Sequence, residues 1–229
     1  MKIGFIGIDL PEGKTKYNDK SLIALEDKDK PKKVTPFFAQ FIADDFVHSE
    51  AIVVPASQIL DLLILDMEKI EARLTRITDA QEKEFFEKCM ETLEEEIPLC
   101  DLPLSEEELQ SLEAAALHSI KPVVQVEGNE DVNDIITLAL EKAGYMFFYT
   151  SGPSESHAWL VKKGSTILEC AGKIHTDLAR GFIKGDIVSF EEYLNCHNFN
   201  ECKSKGLVKV VDRDHIVEPN DVIEIRFNV

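Results

Sequence analysis

Residues 7–15, Gly-Ile-Asp-Leu-Pro-Glu-Gly-Lys-Thr, combine the residue types that could hold a phosphate. A glycine-bearing loop can curl its backbone N–H groups around phosphate oxygens. A following Lys and Thr can reach the terminal phosphate and its magnesium. The candidate nucleotide contacts are therefore Gly7, Gly13, Lys14 and Thr15, and ATP or GTP with magnesium is the cofactor they would take. Two features argue against it. Such a loop has four residues between its first glycine and Gly-Lys-Thr, and here five separate Gly7 from Gly13. Asp9 and Glu12 also place negative charge where a triphosphate would bring more. No helix-forming run is evident after Thr15, so the helix N-terminus that normally faces the phosphates is missing from the pattern. Asp44 or Asp45 stands where a magnesium-binding acid would fall, but Phe46, Val47 and His48 follow it instead of a glycine-containing switch. Without a metal ligand and a positioned switch, phosphoryl transfer loses its electrostatic supports. No catalytic residue and no metal site are assigned, and the expected cofactor is none.

Other constellations are weaker. Cys196-His197 with Cys202 is the one Cys/His cluster, with His215 as the nearest fourth ligand, and ordinary core and loop roles are the simpler reading. His157 lies beside a predicted strand and reads as a packed or surface residue. His175 is expected to bridge backbone near a helix end. Neither a Gly-x-Ser-x-Gly nor a His-Glu-x-x-His pattern occurs. Lys162, Lys163, Lys173, Arg180, Lys184, Lys203, Lys205 and Lys209, with Trp159 and Phe182 among them, could gather into a patch that tracks RNA phosphates. Scattered surface lysines are the competing reading.

The charge is unevenly placed. Of a formal net −18, residues 1–43 carry 8 Lys and 6 acids, residues 44–145 carry 7 Lys/Arg and 25 acids, and residues 146–229 carry 10 Lys/Arg and 12 acids. The middle segment thus repels a phosphate backbone, and any nucleic-acid contact must use the ends. Five cysteines without a CxxC pair suit a reducing compartment. The apolar start breaks at Asp9 and lacks the features of a signal peptide, and no apolar run approaches a bilayer span, so the expectation is a cytoplasmic protein that does not bind membrane.

The elements that would position these residues can be read from periodicity. Lys2 to Ile8 reads as a buried strand, Asp9 to Pro36 as a polar loop, and Phe37 to Ile42 and Ala51 to Val54 as further strands. Leu63, Met67, Ile70, Leu74 and Ile77 step by four and three, the stripe of a helix. Asp79 can cap a second helix with Phe86, Cys89, Met90, Leu93 and Ile97 inward, giving an antiparallel hairpin at about residues 59–97. Ser105 with Glu108 is a capping box that starts a third helix. Lys121 to Glu127 reads as a strand, and Asp131 to Ala143 as a helix closed by Gly144. From Tyr145 the pattern becomes strand, strand, helix, strand, strand, the set a β-grasp fold needs.

Ala171-Gly-Lys-Ile-His-Thr-Asp177 with Arg180-Gly-Phe-Ile183, and Asp221-Val-Ile-Glu-Ile-Arg-Phe-Asn-Val229, resemble the TGS domain of Obg-like (YchF) P-loop NTPases. Tyr145 to Thr150 and Ala158 to Gly164 fit the first hairpin of that domain. Upstream, Lys30-Pro-Lys-Lys-Val-Thr-Pro36, Ser49 to Val53, Leu62 to Leu74 and Lys121 to Val126 resemble the family's G domain in order, with its phosphate loop and switch departing from pattern. The resemblance implies an α/β chain. Residues 1–144 would form a trimmed P-loop-NTPase-like sheet with the inserted helical hairpin, and residues 145–229 a β-grasp, ubiquitin-like TGS domain. It implies a translation-linked partner, the ribosome or RNA, contacted through Lys162, Lys163, Lys173, Arg180, Lys184 and Lys205. Three functions stay open: a monomeric non-catalytic binding module, a divergent ATPase or GTPase using Gly13-Lys14-Thr15, and a protein adaptor using the acidic hairpin.

Overall fold

The structure, a computed structural model, describes residues 1–228 of the 229. In chain order the elements begin with β1 (Lys2–Phe5), β2 (Gly13–Lys16), α1 (Lys20–Asp29), β3 (Lys33–Thr35), β4 (Phe38–Ala43) and β5 (Ala51–Pro55). There follow α2 (Ile59–Leu74), α3 (Ala80–Glu94), α4 (Glu106–Ala114), β6 (Val123–Val126) and α5 (Val132–Lys142). The last third holds β7 (Tyr145–Ser151), β8 (Glu155–Lys162), α6 (Ile167–Ile174), α7 (Thr176–Arg180), β9 (Phe182–Val188), α8 (Phe190–Leu194), α9 (Phe199–Ser204), β10 (Lys209–Val211) and β11 (Val222–Phe227). The chain divides into two units, Met1–Thr15 with Ala39–Ala143, and Lys16–Phe38 with Gly144–Val229. This corrects the expected boundary, which kept all of residues 1–144 in one domain. It also corrects the polar loop expected over Asp9 to Pro36, which contains β2, α1 and β3.

The first unit is built on a five-stranded sheet of order β2-β4-β1-β5-β6. β1 pairs in parallel with β4 and β5, and β5 in parallel with β6. Ala51 to Val54 are all buried, the continuous apolar run of a strand covered on both faces. Its core joins Ile52, Val54 and Val123 of the sheet to Leu62, Leu63 and Ile70 of α2 and Phe86, Cys89 and Leu93 of α3. Asp79 caps α3 through the Glu82 N–H at 2.8 Å, and the Ser105–Glu108 capping box of α4 is formed in both directions. Asp66, fully buried on α2, accepts the His118 and Ser119 N–H groups at 2.7 Å each and so fixes the chain entering β6.

One connection is unusually short. β4 and β5 lie on either side of β1 and run parallel to it, yet only seven residues, 44–50, join them. Parallel crossovers ordinarily take a dozen or more residues and carry a helix. Here the segment passes directly over β1: a Cβ at Gly4 would lie 2.9 Å from the Asp45 carbonyl and 3.1 Å from Ser49. The missing side chain at Gly4 is what lets bare backbone cross there.

The second unit is a six-stranded sheet of order β10-β9-β11-β7-β8-β3. β7 and β8 form an antiparallel hairpin, β11 runs antiparallel to β9 and parallel to β7, and β3 adds in parallel to the edge of β8. Alternate residues serve two cores. Met146, Phe148, Val161, Ile187 and Ile223 pack with Ile167 and Cys170 of α6 on one face. Tyr149, Ala158, Val188 and Val222 pack on the other with Leu22 and Leu25 of α1, Tyr193, Phe199 and Cys202. α1 lies on β7 and β8 and supplies part of that second cover. Its two leucines are nearly fully buried, a contribution of about 1.5–3 kcal/mol each.

Candidate functional site

In an open parallel sheet, ligands bind beyond the carboxyl ends of the strands, where the strand order switches direction. In the first unit that edge is formed by the segments leaving β1, β4, β5 and β6. Those segments supply Gly7, Asp44 and Asp45, Gln58, and Glu127 to Glu130.

Their geometry is self-contained. Gly7 has φ +71, a left-handed conformation that suits glycine, and a Cβ there would overlap the side-chain amide of Gln58. Glu130 turns its carboxylate back to accept the N–H groups of Glu127, Gly128 and Asn129 at 2.9–3.1 Å. Those backbone bonds hold its carboxyl below the usual carboxylate range. Asp45 accepts the His48 N–H at 3.1 Å and pairs with His48 Nδ1 at 2.9 Å, and the His48 bonds hold its carboxyl low as well. The loops at this edge carry six carboxylates: Asp9, Glu12, Asp44, Asp45, Glu127 and Glu130.

Gly13, Lys14 and Thr15 form strand β2 at the edge of the sheet, with Lys14 exposed, and they do not form a turn leading into a helix. A helix does follow, contrary to the expectation that none would, but it is α1 of the second unit. Its N-terminus is capped by Asp19, whose Oδ1 accepts the Ser21 N–H at 2.9 Å and the Leu22 N–H at 3.3 Å. The position a phosphate would take at a helix start is thus held by a carboxylate of the chain itself. Gly7 and Gly13–Thr15 belong to the same unit, but to different loops and strands of it.

The basic candidates of the second unit are dispersed over several elements. Lys162 ends β8 and lies over the Tyr145 ring at 3.8 Å. Arg180 pairs with Asp177 at 3.1 Å, Lys205 with Glu201 at 2.8 Å, and Lys184 with Asp212. Lys203 bridges Asp186 and Glu224. Lys163 and Lys173 make no ion pair among the described residues. Trp159, expected beside such a patch as a stacking platform, is already covered: it stacks on Phe148 and His157 and donates to Thr150 Oγ1 at 3.0 Å. His175 does bridge backbone, accepting the Asp177 N–H through Nδ1 at 3.1 Å. Among the described residues, no group of three or more His, Cys, Asp or Glu is arranged to hold a metal ion. No helix there is long and apolar enough to cross a membrane.

Gln58, Glu130 and Gly4 are the residues that sequence reasoning missed. Glu130 had a legible signal, an acid two residues after a glycine in a loop that follows a strand. The side chain of Gln58 reaches Gly7 only through tertiary packing.

Fold and edge together define a two-unit α/β protein whose first sheet holds β4, β1, β5 and β6 in parallel. The family model described as YchF-GTPase_C, a protein of unknown function (DUF933), matches residues 145–228. The chain is 28% identical over 260 aligned positions to the Ribosome-binding ATPase YchF of Bacillus subtilis, covering 82% of this chain and 71% of that protein. It is 27% identical over 169 positions to the Ribosome-binding ATPase YchF of Mycoplasma genitalium, covering 74% of this chain but 43% of that one. Against human Obg-like ATPase 1 the match is 37% over 92 residues, 38% of this chain and 23% of that protein. The structure of the Schizosaccharomyces pombe YchF GTPase has the same fold, with a TM-score of 0.77 at 16% identity, covering 99% of this chain and 97% of that one. Residues 145–228 thus match the C-terminal domain model of YchF proteins, and the chain is similar to the YchF ATPases over most of its length.

Proposed function

We propose that this chain is a non-catalytic YchF relative that binds the ribosome or its RNA in the cytoplasm, in a translation-linked regulatory role, and that its nucleotide site has been given up. The observation that carries the reading is the placement of Gly13-Lys14-Thr15 on an edge strand. The N–H groups of a strand alternate in direction and cannot converge on one phosphate as a loop's can. The rest of the edge supports the same reading. Gln58 lies against Gly7, Glu130 consumes three N–H donors, and six carboxylates oppose a triphosphate. Asp45 is the acid nearest to a magnesium-binding role, and it is tied to His48.

The binding role falls to the second unit, which we read as a TGS-type β-grasp domain. The order β8-β7-β11-β9-β10, with β11 parallel to β7 and α6 crossing one face, supports that. The ribosome as partner follows from what the Bacillus and Mycoplasma relatives are called. Lys163 and Lys173, free of ion pairs, are the leading contacts, with Lys162, Arg180, Lys184 and Lys205 beside them. In the first unit we read α2 and α3, joined by residues 75–79, as the family's antiparallel helical hairpin. Its acidic stripe Glu84, Glu87, Glu91 and Glu94, spaced for one helix face and exposed, favours a second reading as a protein-docking surface.

Two measurements test this. Calorimetry with ATP and GTP plus magnesium should give no saturable binding that depends on Lys14, so Lys14→Ala should change nothing; turnover that disappears in Lys14→Ala would overturn the reading. Co-sedimentation with ribosomes across a salt series should show binding that falls with salt and weakens in the Lys163→Ala/Lys173→Ala variant. Binding lost instead when the four stripe glutamates become glutamine would favour the docking reading.

A further inference from the structure

We infer that the C-terminal end of α2 carries a binding pocket for a compact oxyanion, a phosphate group on a small molecule. The pocket, about 480 Å³, is lined by Lys69, Arg73 and Arg76 of the α2 end, with Thr78, Glu82 and Ala115 completing it. Lys69 and Arg73 are four apart, so one face of α2 presents both, and Arg76 follows in the turn after the helix. They lie inside the chain's most acidic segment, yet the pocket holds three positive side chains against one carboxylate.

Two of the cations are pre-positioned. Arg73 donates to Glu82 Oε1 at 2.6 Å and stacks over the Phe86 ring at 4.8 Å, which leaves its Nε buried without a partner and a third of the side chain exposed. Lys69 is held by the Ala116 carbonyl at 2.6 Å and His118 Nε2 at 2.8 Å, with the buried Asp66 carboxylate 3.7 Å away. Arg76, just past the helix, is exposed, and its side chain makes no hydrogen bond or ion pair among the described residues.

Donors therefore outnumber acceptors. Two guanidiniums and an ammonium supply more N–H groups than Glu82, one carbonyl, one imidazole and an Asp66 already bonded to two backbone N–H groups can accept. The complementary ligand is rich in acceptors and carries negative charge, and a phosphate meets both requirements through the planar fork of an arginine.

The test uses the whole chain, titrated with inorganic phosphate, AMP and adenosine by calorimetry and by amide shifts. Phosphate and AMP should bind saturably and shift amides at residues 69–78, and adenosine should not bind. Arg76→Ala, at an exposed position, should weaken binding at least about tenfold. Arg73→Lys, which keeps the charge but loses the fork, should also weaken it, and Lys14→Ala should leave it intact. No saturable phosphate binding, or binding indifferent to Arg76→Ala, would overturn the assignment. So would a short RNA that binds through these residues more tightly than AMP. Binding lost in Lys14→Ala alone would instead place the anion at the first strand, refuting both this pocket and the proposed loss of the nucleotide site.

Discussion

Replacing Asp19 separates two roles that the structure gives one carboxylate. One oxygen caps α1 through the Ser21 and Leu22 N–H groups, and the other accepts the Tyr149 hydroxyl at 2.7 Å. Asp19 is 6% exposed, and burial pushes its carboxyl above the usual value of 3.8, with the Tyr149 and backbone bonds opposing the shift. Asp19→Ala removes the cap, at about 1 kcal/mol. It also strands a buried hydroxyl, at about 1–3 kcal/mol, partly relieved because Asn220 lies within 3.4 Å of it. The sum, about 2–4 kcal/mol, corresponds to a fall in melting temperature of roughly 5–15 °C for a chain of this size. Asp19→Asn keeps an oxygen for the cap and an amide beside Tyr149, so it should cost under about 1 kcal/mol. The sign of the pH dependence follows from the raised value. Stability from Asp19 is complete below its unfolded value near 3.8 and is lost as pH rises through the higher folded value. Asp19→Asn, with no charge to desolvate, should therefore gain on the wild type as pH is raised from about 4 to 8. Urea unfolding of the three proteins at both pH values, followed by circular dichroism, measures this. An Asn variant as damaged as the Ala variant at both pH values, or an Ala variant that melts with the wild type, would refute the reasoning.

Other outcomes follow from packing and burial. Gly4→Ala places a methyl 2.9 Å from the Asp45 carbonyl and should cost about 1–3 kcal/mol by thermal melting. Asp66→Ala leaves two buried N–H groups unpaired and should cost about 2–5 kcal/mol in urea. Burial raises the Cys89 thiol to about 11 and the Cys170 thiol to about 12, so both should resist a thiol reagent at neutral pH and react once the chain is unfolded.

Much of this fold can be read from periodicity. The stripe from Leu63 to Leu74, the Asp79 cap, the Ser105–Glu108 box and the Asp131 cap all fall where local rules place them, because each is settled within one or two turns. Residues 13–35 were not legible. β2 is four residues of Gly, Lys and Thr at a sheet edge, and β3 is three half-exposed residues. α1 buries only Leu22 and Leu25 in ten residues, too narrow a stripe to stand out among five charged side chains. These elements exist because distant strands cover them, and tertiary context decides them. At the candidate site, the mis-spaced Gly-Lys-Thr and the flanking acids were visible in the sequence. What fills the edge was not, because Gln58 and Gly7 are far apart in sequence and meet only in the folded sheet.

The division of the chain bears on how the protein is made. Residues 16–38 leave the N-terminal unit, contribute a helix and a strand to the C-terminal one, and return. A growing chain therefore holds α1 exposed, with Leu22 and Leu25 unsheltered, until β7 and β8 emerge more than a hundred residues later. The N-terminal unit is complete once residue 143 is made, but the other must wait for the last strands, and a fragment starting at residue 144 would leave the β8 edge bare and Tyr149 without its carboxylate. The C-terminal unit thus depends on residues 16–38, which are made long before the rest of it.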